Sequence, residues 1–293
     1  MKFYISWYPN PPDPKYWEWF DVDGLMISLV NLRGNNLTKA INLGIHRFIG
    51  FDGSIFLDSG AFQSKNNNKS ATEILELQNW LRPDLISHLD KPIIGLESIQ
   101  VKQRWQKLRE TFENAKIARK WEKSNDNIQV VYVIQGWNRE SLRICAVKMA
   151  KLNCDYYGIG SLYRQSLSEI MARIKIVREI IGPKPKLHLF GVNPLKFLKE
   201  VSTNDLFYKV DSLDCSSPIR AGVVKEFLDP ATLERVHIDE ASTECSCPVC
   251  RKYQSFISLI GLNGKMRLNN KIRAIHNAYW YTKSVKFLNN CEC

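Results

Sequence analysis

The sequence predicts an α/β protein built as a (β/α)8 barrel, the TIM-barrel architecture, followed by a small cysteine-bearing subdomain. Short apolar segments alternate with amphipathic helical patterns up to about residue 228, as in parallel strands joined by helices. The alternation then stops, and a dense cysteine cluster and one long helical pattern follow. We therefore assign residues 1–228 to the barrel and residues 229–293 to a subdomain packed on it. An open, doubly wound sheet is the competing arrangement.

Eight segments have the character of strands that are buried on both faces. Each is short and apolar, without the strict alternation of a half-exposed strand. The predicted strands are Phe3–Ser6, Leu25–Val30, Ser54–Leu57, Asp84–His88, Ile128–Ile134, Tyr156–Ile159, Lys186–Phe190 and Phe207–Val210. Because a closed barrel of this kind has eight strands, the number favours the barrel over the open sheet.

Helical periodicity fills the spaces between these strands. The clearest helices are predicted from about Ile99 to Glu122, from about Glu140 to Leu152, from Ser166 to the Gly182-Pro183 pair, and from about Leu268 to Phe287. Apolar residues three or four apart predict the buried stripe of the first of these: Val101, Trp105, Leu108, Phe112 and Ala115. Ser166 and Glu169 have the spacing of a capping box.

Composition and charge limit the classes of protein to consider. Of the 293 residues, 44% are hydrophobic and 24% charged, which excludes a disordered chain, a collagen-like fibre and a small disulfide scaffold. The sequence lacks both an apolar run of about 18 residues and the layout of a signal peptide, so we expect a cytoplasmic protein with no membrane partner. The net charge of +11 favours a polyanionic partner such as a nucleic acid.

Three cysteines form a C-x-C-x-x-C loop at Cys245, Cys247 and Cys250. In a protein expected in the cytoplasm, such a cluster favours metal ligands over disulfides. Three thiolates and one imidazole make a closed tetrahedral zinc site, and His276 in the last predicted helix is the expected fourth ligand. Since no coordination position is left for water, the expected Zn²⁺ is structural. The alternative ligands are His237, Cys291 and Cys293.

Aspartates occur at or after the ends of three predicted strands, at Asp58, Asp90 and Asp214. Barrel enzymes carry their reactive groups at the carboxyl ends of the strands, so these side chains are expected to converge. Paired carboxylates support glycosidic chemistry, in which one acts as nucleophile and the other handles the proton. Each aspartate could instead cap the helix that follows it.

Six motifs follow one another between about residue 54 and residue 282. They are Asp58-Ser59-Gly60-Ala61-Phe62-Gln63, Gln135-Gly136, Tyr157-Gly158-Ile159-Gly160-Ser161-Leu162, Leu189-Phe190-Gly191-Val192, the segment from Asp211 through Asp214 to Arg220, and the cysteine loop with the His276 helix. In residues and order they resemble the motifs of the tRNA-guanine transglycosylase family. That family has a TIM barrel with a zinc subdomain. It exchanges a guanine base in a nucleic acid for a 7-deazaguanine base, such as preQ0, without breaking the backbone.

The resemblance also implies roles for individual residues. Asp214 is the implied nucleophile, which forms a covalent glycosyl intermediate, and Asp58 is the implied proton donor and acceptor. Asp211, three residues before Asp214, is a rival nucleophile. The implied binding residues for the base are Asp90 and Gln135 at its edge, Gly160 and Ser161 at the pocket floor, and Phe62 and Phe190 against its faces. Without the resemblance, each phenylalanine is equally well explained by core packing.

The sequence departs from the family pattern in three places. Trp137 follows Gln135-Gly136 where bacterial members have glycine, and Ser161 replaces a second glycine, so we expect a changed pocket rim. After Pro218 the arginine-rich segment of bacterial members is reduced, and the chain is compact. We therefore expect DNA to be favoured over tRNA, as in the DNA-modifying branch of phages and bacteria, with tRNA as the alternative.

Two other functions stay open. One is a non-catalytic member of the fold that only binds nucleic acid, and the presence of all three aspartates favours activity over it. The other is a zinc-bearing barrel enzyme that acts on a small nucleoside. The expected partners of the active form are a nucleic acid, a free 7-deazaguanine base, and either a second copy of the chain or a helper protein. Basic residues that could follow phosphates are Lys265, Arg267, Lys271, Arg273, Lys283 and Lys286.

Overall fold

The fold is known from a computed structural model of the 293-residue chain. It describes residues 1–61, 69–93, 100–163, 165–195, 197, 210–237, 245–252 and 266–290. Phe62, Lys265, Cys291 and Cys293, which the sequence analysis singled out, lie outside these residues. Among the described residues, no helix has both the length and the apolar character that crossing a membrane requires.

Eight parallel strands form a closed barrel in which each strand pairs with its neighbours in chain order. They are β1 (Lys2–Ser6), β2 (Gly24–Ser28), β3 (Ser54–Asp58), β4 (Leu85–Ser87), β5 (Gln129–Ile134), β6 (Tyr156–Ile159), β7 (Lys186–Leu189) and β8 (Ser212–Cys215). The barrel closes because β1 pairs with β2 on one side and with β8 on the other, so that Tyr4 lies opposite both Gly24 and Asp214. This confirms the predicted barrel and excludes the open sheet.

The eighth strand is β8, and the prediction of Phe207–Val210 as that strand was wrong. Residues 207–209 lie outside the described part of the chain, and Val210 precedes the strand. The sequence of β8 alternates polar and apolar residues: Leu213 packs into the core between strands and helices, whereas Ser212 and Asp214 bond groups inside the barrel. Because the side chains of β8 that face the barrel interior are polar, the strand does not form an apolar run and was not recognised as a strand in the sequence. Asp214 lies within the strand rather than after it.

Helices cover the outside of the barrel. They are α1 (Gly34–Leu43), α2 (Ile45–Ile49), α3 (Ala71–Leu81), α4 (Val101–Glu122), α5 (Arg139–Ala150), α6 (Leu167–Ile181) and α7 (Ser217–Val223). Beyond them lie the antiparallel pair β9 (Glu226–Leu228) and β10 (Arg235–His237), then α8 (Pro248–Lys252) and α9 (Met266–Asn290).

Two details of the predicted helices differ from the structure. On α4, Leu108 and Ala115 are buried as expected, but Val101 is 58% exposed because the helix begins there, at the barrel rim. On α6, the Ser166 hydroxyl accepts a hydrogen bond from the backbone N–H of Glu169, which is only half of the predicted capping box. The Glu169 carboxylate instead accepts hydrogen bonds from Arg139 and Arg173.

The core has an outer and an inner part. The larger part packs the outward faces of the strands against the helices. A smaller cluster fills the inside of the barrel, where Phe190 packs against it. Its members are Tyr4, Met26, Phe56, Leu85, Val131 and Tyr156. This plug supports the side chains that stand at the carboxyl ends of the strands.

The last helix is tied to the barrel by a buried amide. On α9, the Asn277 carbonyl oxygen accepts from the backbone N–H of Leu228 at 2.7 Å. Its amide group donates to the carbonyl oxygens of Pro218 and Glu226 at 3.3 Å each. The close approach of α7 and α9 requires glycine at Gly222, where a Cβ would lie 2.9 Å from the Asn270 carbonyl oxygen.

The Asn277 contacts lead to a first testable prediction. Asn277→Ala should lower the free energy of unfolding by about 3 kcal/mol, because it leaves buried backbone groups without partners. Asn269→Ala, on the partly buried start of the same helix, should change it by less than about 0.5 kcal/mol. Urea unfolding of the three proteins checks this, and equal effects of the two substitutions would contradict it.

Candidate functional site

A cavity of about 470 Å³ opens at the carboxyl end of the barrel. Its volume lies in the range of small-molecule pockets. Seven of the eight residues expected to take part in catalysis or base binding line it: Asp58, Asp90, Gln135, Gly160, Ser161, Phe190 and Asp214. The eighth, Phe62, lies outside the described residues, so the expected pair of rings around a base is represented here by Phe190 alone.

Parallel strands bring these residues to one rim from distant parts of the sequence. Asp58 is the last residue of β3, and Asp90 follows β4 by three residues. Gln135 and Gly160 come directly after β5 and β6. Because all eight strands run in one direction, their carboxyl ends form a single ring, and the loops after them share one cavity.

Asp58 is held by two hydrogen bonds. Its Oδ2 accepts from the backbone N–H of Gly60 at 3.0 Å, and its Oδ1 accepts from the Ser87 hydroxyl at 3.0 Å. Gly60 has φ +80°, and a Cβ there would lie 2.5 Å from the Val30 side chain, so this turn requires glycine. Burial raises the pKa of Asp58 and the nearby Asp214 charge raises it further, against these two hydrogen bonds. A carboxyl group with a raised pKa is suited to giving and taking a proton near neutral pH.

Asp90, Gln135 and Ser161 form a continuous polar network along the cavity wall. The Gln135 amide group donates to the Asp90 carboxylate, and the Ser161 hydroxyl donates to the Gln135 carbonyl oxygen at 2.7 Å. One of the two amide N–H groups of Gln135 is used by Asp90, and within the described residues the other has no acceptor, so it is available to a ligand in the cavity. Ser161 has φ +60°, a left-handed conformation that a residue with a Cβ rarely adopts. Such local strain is found most often at functional sites.

Asp90 is the second carboxyl group in the cavity with a raised pKa. Burial and the neighbouring Asp58 charge raise its pKa to about 7. It is therefore partly protonated near neutral pH, and it can both donate and accept a hydrogen bond at the edge of a bound heterocycle.

Asp214 lies on β8, with one carboxylate oxygen fixed. Its Oδ1 accepts from the backbone N–H of Gly191 at 2.9 Å and lies 3.3 Å from Nε2 of His188. Sequence reasoning missed His188. The signal was present in the period-two rule, because Phe190, the residue directly after β7, is two positions from His188, and the two rings lie side by side inside the barrel.

Asp211, the rival nucleophile, lies away from the cavity. It precedes β8, at the opposite end of the barrel from the cavity. Its Oδ2 accepts from the Leu187 backbone N–H at 2.7 Å and pairs with the Arg178 guanidinium at 3.1 Å. These contacts give Asp211 a structural role and hold it away from the cavity that Asp214 lines.

The cavity mouth carries two further groups that sequence reasoning did not assign. Arg220 on α7 is exposed, and its guanidinium lies 6.0 Å from the centre of the Tyr163 ring. Both residues line the cavity. Trp137, expected at the rim, does not line it, because its ring packs edge-to-face against Trp105 with centres 4.8 Å apart.

A second cluster joins the cysteine loop to α9. The three sulfur atoms of Cys245, Cys247 and Cys250 lie 3.4–3.5 Å from Nδ1 of His276. Tetrahedral bonds of about 2.3 Å to sulfur and 2.0 Å to nitrogen would separate S and N by about 3.5 Å, so the four groups fit a metal ion such as Zn²⁺. His237, on β10, is not part of the cluster.

Surrounding hydrogen bonds prepare the cluster for metal binding. His276 Nε2 donates to the Leu228 carbonyl oxygen at 2.7 Å, which makes Nδ1, the atom that faces the three sulfur atoms, the ligand nitrogen. The Trp280 indole N–H donates to the Cys245 sulfur at 3.3 Å, and backbone N–H groups donate to Cys245 and Cys247. Donors of this kind stabilise the thiolate form that binds metal.

One residue expected to follow phosphates is buried instead. Arg273 is only 3% exposed, and its Nε donates to the Gly222 carbonyl oxygen at 2.7 Å, so it stabilises the contact between α7 and α9. Lys286 pairs with Asp21 and Asp23 near the start of the chain. Lys271 is exposed, as a contact with phosphate would require.

The cluster of three cysteines and His276 leads to a second prediction. Cys247→Ser should lower the bound metal per chain and the temperature of unfolding together, because structural metal binding contributes to folding. Cys154→Ser, a buried cysteine of the barrel outside the cluster, should keep the metal content of the wild type. Elemental analysis and thermal unfolding check this, and full metal content in Cys247→Ser would contradict it.

The raised pKa of Asp90 gives a third prediction. Because the folded state holds the proton up to about pH 7 and the unfolded state releases it near 3.8, stability falls as pH rises through this window. Asp90→Asn cannot ionise, so its advantage over the wild type should grow with pH, by up to about 4 kcal/mol above pH 7. Asp13, whose pKa burial raises to about 7, titrates in the same window in both proteins. Chemical unfolding at pH 4.5 and pH 8 measures the difference, and parallel pH profiles would refute it.

Comparison with known proteins places these features in a family. The family model described as queuine tRNA-ribosyltransferase (TGT) matches residues 25–289. A tRNA-guanine(15) transglycosylase of Pyrococcus abyssi is 29% identical over 224 residues, which cover 73% of this chain and 36% of the relative. That of Methanocaldococcus jannaschii is 32% identical over 248 residues, covering 80% and 36%. A queuine tRNA-ribosyltransferase of Helicobacter pylori is 25% identical over 289 residues, covering 84% and 74%.

The match to the archaeal relatives is confined to part of their length. The chain spans 36% of each of the two archaeal proteins. The family match, in contrast, runs from β2 through the other barrel strands and into the last helix. The resemblance seen in the sequence motifs is thereby confirmed, and the chain belongs to the queuine tRNA-ribosyltransferase (TGT) family.

Proposed function

We propose that this protein is a guanine transglycosylase, a pentosyltransferase that exchanges a guanine base in a nucleic acid for a 7-deazaguanine base. The observation that carries the proposal is the pairing of two carboxyl groups, Asp58 and Asp214, at one cavity with a polar network beside them. Glycosidic chemistry needs a nucleophile and a proton carrier beside the same glycosidic bond. Family membership supports the same reaction class.

In the proposed first step, a carboxylate oxygen of Asp214 attacks C1′ of the target nucleotide. The bond between C1′ and N9 of guanine breaks, and Asp58 gives its proton to the departing base. The product is a covalent ester between Asp214 and the sugar, with the phosphate backbone intact. The raised pKa of Asp58 supports this role, since a carboxyl group with a raised pKa is protonated more readily and is better suited to act as the acid.

The second step reverses the first with a different base. Asp58, now ionised, takes the N9 proton of the incoming 7-deazaguanine, whose nitrogen attacks C1′ and displaces Asp214. Atoms and charges return to the starting state, so the enzyme is ready for another exchange. The Asp214 charge favours protonation of Asp58 and therefore assists its return to the acid form.

The polar network gives the proposed reaction its base selectivity. A base flipped out of a nucleic acid is read by hydrogen bonds to its edge and by stacking on its faces. We assign the edge to Asp90 and Gln135, with Gly160 and Ser161 at the floor and Phe190 against one face. A protonated Asp90 could donate to a ring nitrogen, and the Gln135 amide N–H suits a carbonyl oxygen of guanine.

We propose tRNA as the nucleic acid. The names of the relatives specify tRNA, and the expected preference for DNA finds no support among them. The exposed Arg220 at the cavity mouth, next to Tyr163, is suited to a phosphate beside the flipped nucleotide. The net charge of +11 supports a polyanionic substrate of either kind.

For the metal cluster we propose a structural Zn²⁺ bound by Cys245, Cys247, Cys250 and His276. Four protein ligands leave no open position for water or substrate, so the ion would stabilise the loop against α9 without taking part in catalysis. When bound, the ion would link the cysteine loop to α9. Dimerisation and a helper protein stay predictions from the resemblance.

The proposal is tested by base exchange. Labelled guanine and a labelled 7-deazaguanine precursor should enter bulk tRNA in the presence of the wild-type protein, with duplex and single-stranded DNA offered in parallel. Label in DNA alone would contradict the choice of tRNA, support the preference for DNA expected from the sequence, and leave the proposed exchange mechanism unchanged. Label in no polymer would favour the binding-only member of the fold.

The role of Asp214 gives a fourth prediction. Asp214→Asn should lower the exchange rate by at least about 10³-fold, because an amide oxygen is a far poorer nucleophile than a carboxylate, as with other covalent catalysts. Asp211→Asn changes the same type of residue at the far end of β8 and should leave the rate within about threefold of wild type. Exchange by Asp214→Asn at the wild-type rate would remove Asp214 from the nucleophile role.

A further inference from the structure

A hydrogen-bond relay ends on the proposed nucleophile. It runs from Tyr156 on β6 through Ser212 on β8 and His188 on β7 to Asp214. The hydroxyl oxygens of Tyr156 and Ser212 are 2.6 Å apart, and the Ser212 oxygen is 2.6 Å from His188 Nδ1. Nε2 of the same ring lies 3.3 Å from Asp214 Oδ1. None of these groups except Asp214 has a part in the chemistry described so far.

The relay has one consistent direction when Asp214 is ionised. A carboxylate only accepts hydrogen bonds, so the hydrogen between the two side chains belongs to Nε2 of His188. In the uncharged ring, Nδ1 is then the acceptor, and the Ser212 hydroxyl donates to it. The Ser212 oxygen in turn accepts from the Tyr156 hydroxyl. All three donors therefore point toward Asp214.

The His188 ring has little freedom to leave this arrangement. It is fully buried, and aromatic rings surround it, with centres 4.4 Å away for Phe190, 5.0 Å for Phe56 and 6.2 Å for Tyr4. Packing fixes the plane of the ring, and the Ser212 hydroxyl fixes which nitrogen carries the hydrogen. A second group that sets the tautomer of a histidine is a recurring device in active sites.

The two oxygens of Asp214 are consequently unequal. Oδ1 accepts from both the Gly191 backbone N–H and His188 Nε2. Within the described part of the chain, Oδ2 has no hydrogen-bond partner, and Asp214 lines the cavity. Rotation of the carboxylate would exchange the two oxygens, and the two donors on Oδ1 oppose that rotation.

We propose that His188 is a positioning residue that holds Asp214 with Oδ2 directed at C1′ of the substrate, and that Ser212 and Tyr156 set its tautomer. This inference rests on the proposed transglycosylase function. It gives the attacking oxygen by name, and it predicts that correct geometry, rather than binding of the base, depends on His188. The base-binding residues Asp90, Gln135 and Ser161 form a separate network on other strands.

The first test compares three variants in the guanine exchange assay. His188→Leu removes the donor and should lower kcat about ten- to a hundredfold, the effect of losing a hydrogen bond to a charged group. The KM for guanine should stay within about twofold. His188→Gln places an amide N–H where Nε2 lies and should recover most of kcat. Ser212→Ala leaves His188 in place and should lower kcat about three- to tenfold.

The second test locates the hydrogen on the His188 ring directly and needs no catalytic activity. The chain has five histidines, so ¹⁵N-histidine NMR gives five ring systems, and His188→Gln identifies the signals of His188. Its Nε2 should carry the hydrogen and its Nδ1 should be bare. Both signals should move in Asp214→Ala and in Ser212→Ala.

The results distinguish failure of the positioning role of His188 from failure of the proposed transglycosylase function. An active wild type with undiminished kcat in His188→Leu, or a hydrogen on Nδ1 instead of Nε2, overturns the positioning role alone. A lowered kcat with a raised KM of equal factor overturns it too, because that pattern indicates lost binding. A wild type that exchanges no base on any polymer, yet shows the expected tautomer, refutes the proposed function and upholds the hydrogen-bond assignment.

Discussion

The parallel pairing of β1 with β8 is the constraint on which the rest of the structure depends. It closes the sheet, sets all eight carboxyl ends on one rim, and places Asp214 on a strand beside the first strand of the chain. Residues that are more than 150 positions apart, such as Asp58 and Asp214, thereby share one cavity. The inner plug of aromatic and aliphatic side chains then gives that cavity a rigid floor.

Crowding of acidic groups at this rim has an electrostatic consequence. Burial raises the pKa of both Asp58 and Asp90, and each of these groups also feels a neighbouring carboxylate. Like charges in a medium of low polarity oppose one another's ionisation, which adds to the effect of burial on these two carboxyl groups. The Gly191 N–H and the His188 ring face the remaining carboxylate, Asp214, and suit the charged form of that group.

Local pattern and motif order were sufficient to predict the barrel, most strand positions and the Cys245-to-His276 cluster, because these depend on short-range periodicity and on ligand chemistry. Prediction failed where tertiary context decides. The eighth strand was predicted at the wrong residues, because the inward side chains of β8, Ser212 and Asp214, are polar. Arg273 was expected to follow phosphates because a sequence does not reveal that the Gly222 carbonyl oxygen lies within reach of its guanidinium. His188 was missed because the motif that follows it, Leu189-Phe190-Gly191-Val192, does not include it, and only the folded barrel brings its ring to Asp214.

Two consecutive residues of α9 hold the two backbone groups of one residue on β9. His276 bonds the carbonyl oxygen of Leu228, and Asn277 accepts from its N–H group, each at 2.7 Å. A metal ion bound through His276 Nδ1 is thus in direct mechanical contact with the junction between the last helix and the barrel. By mass action, an ion that binds only the folded form stabilises it in proportion to the logarithm of the free-ion concentration. The free concentration of such an ion would therefore set the stability of this contact between α9 and β9.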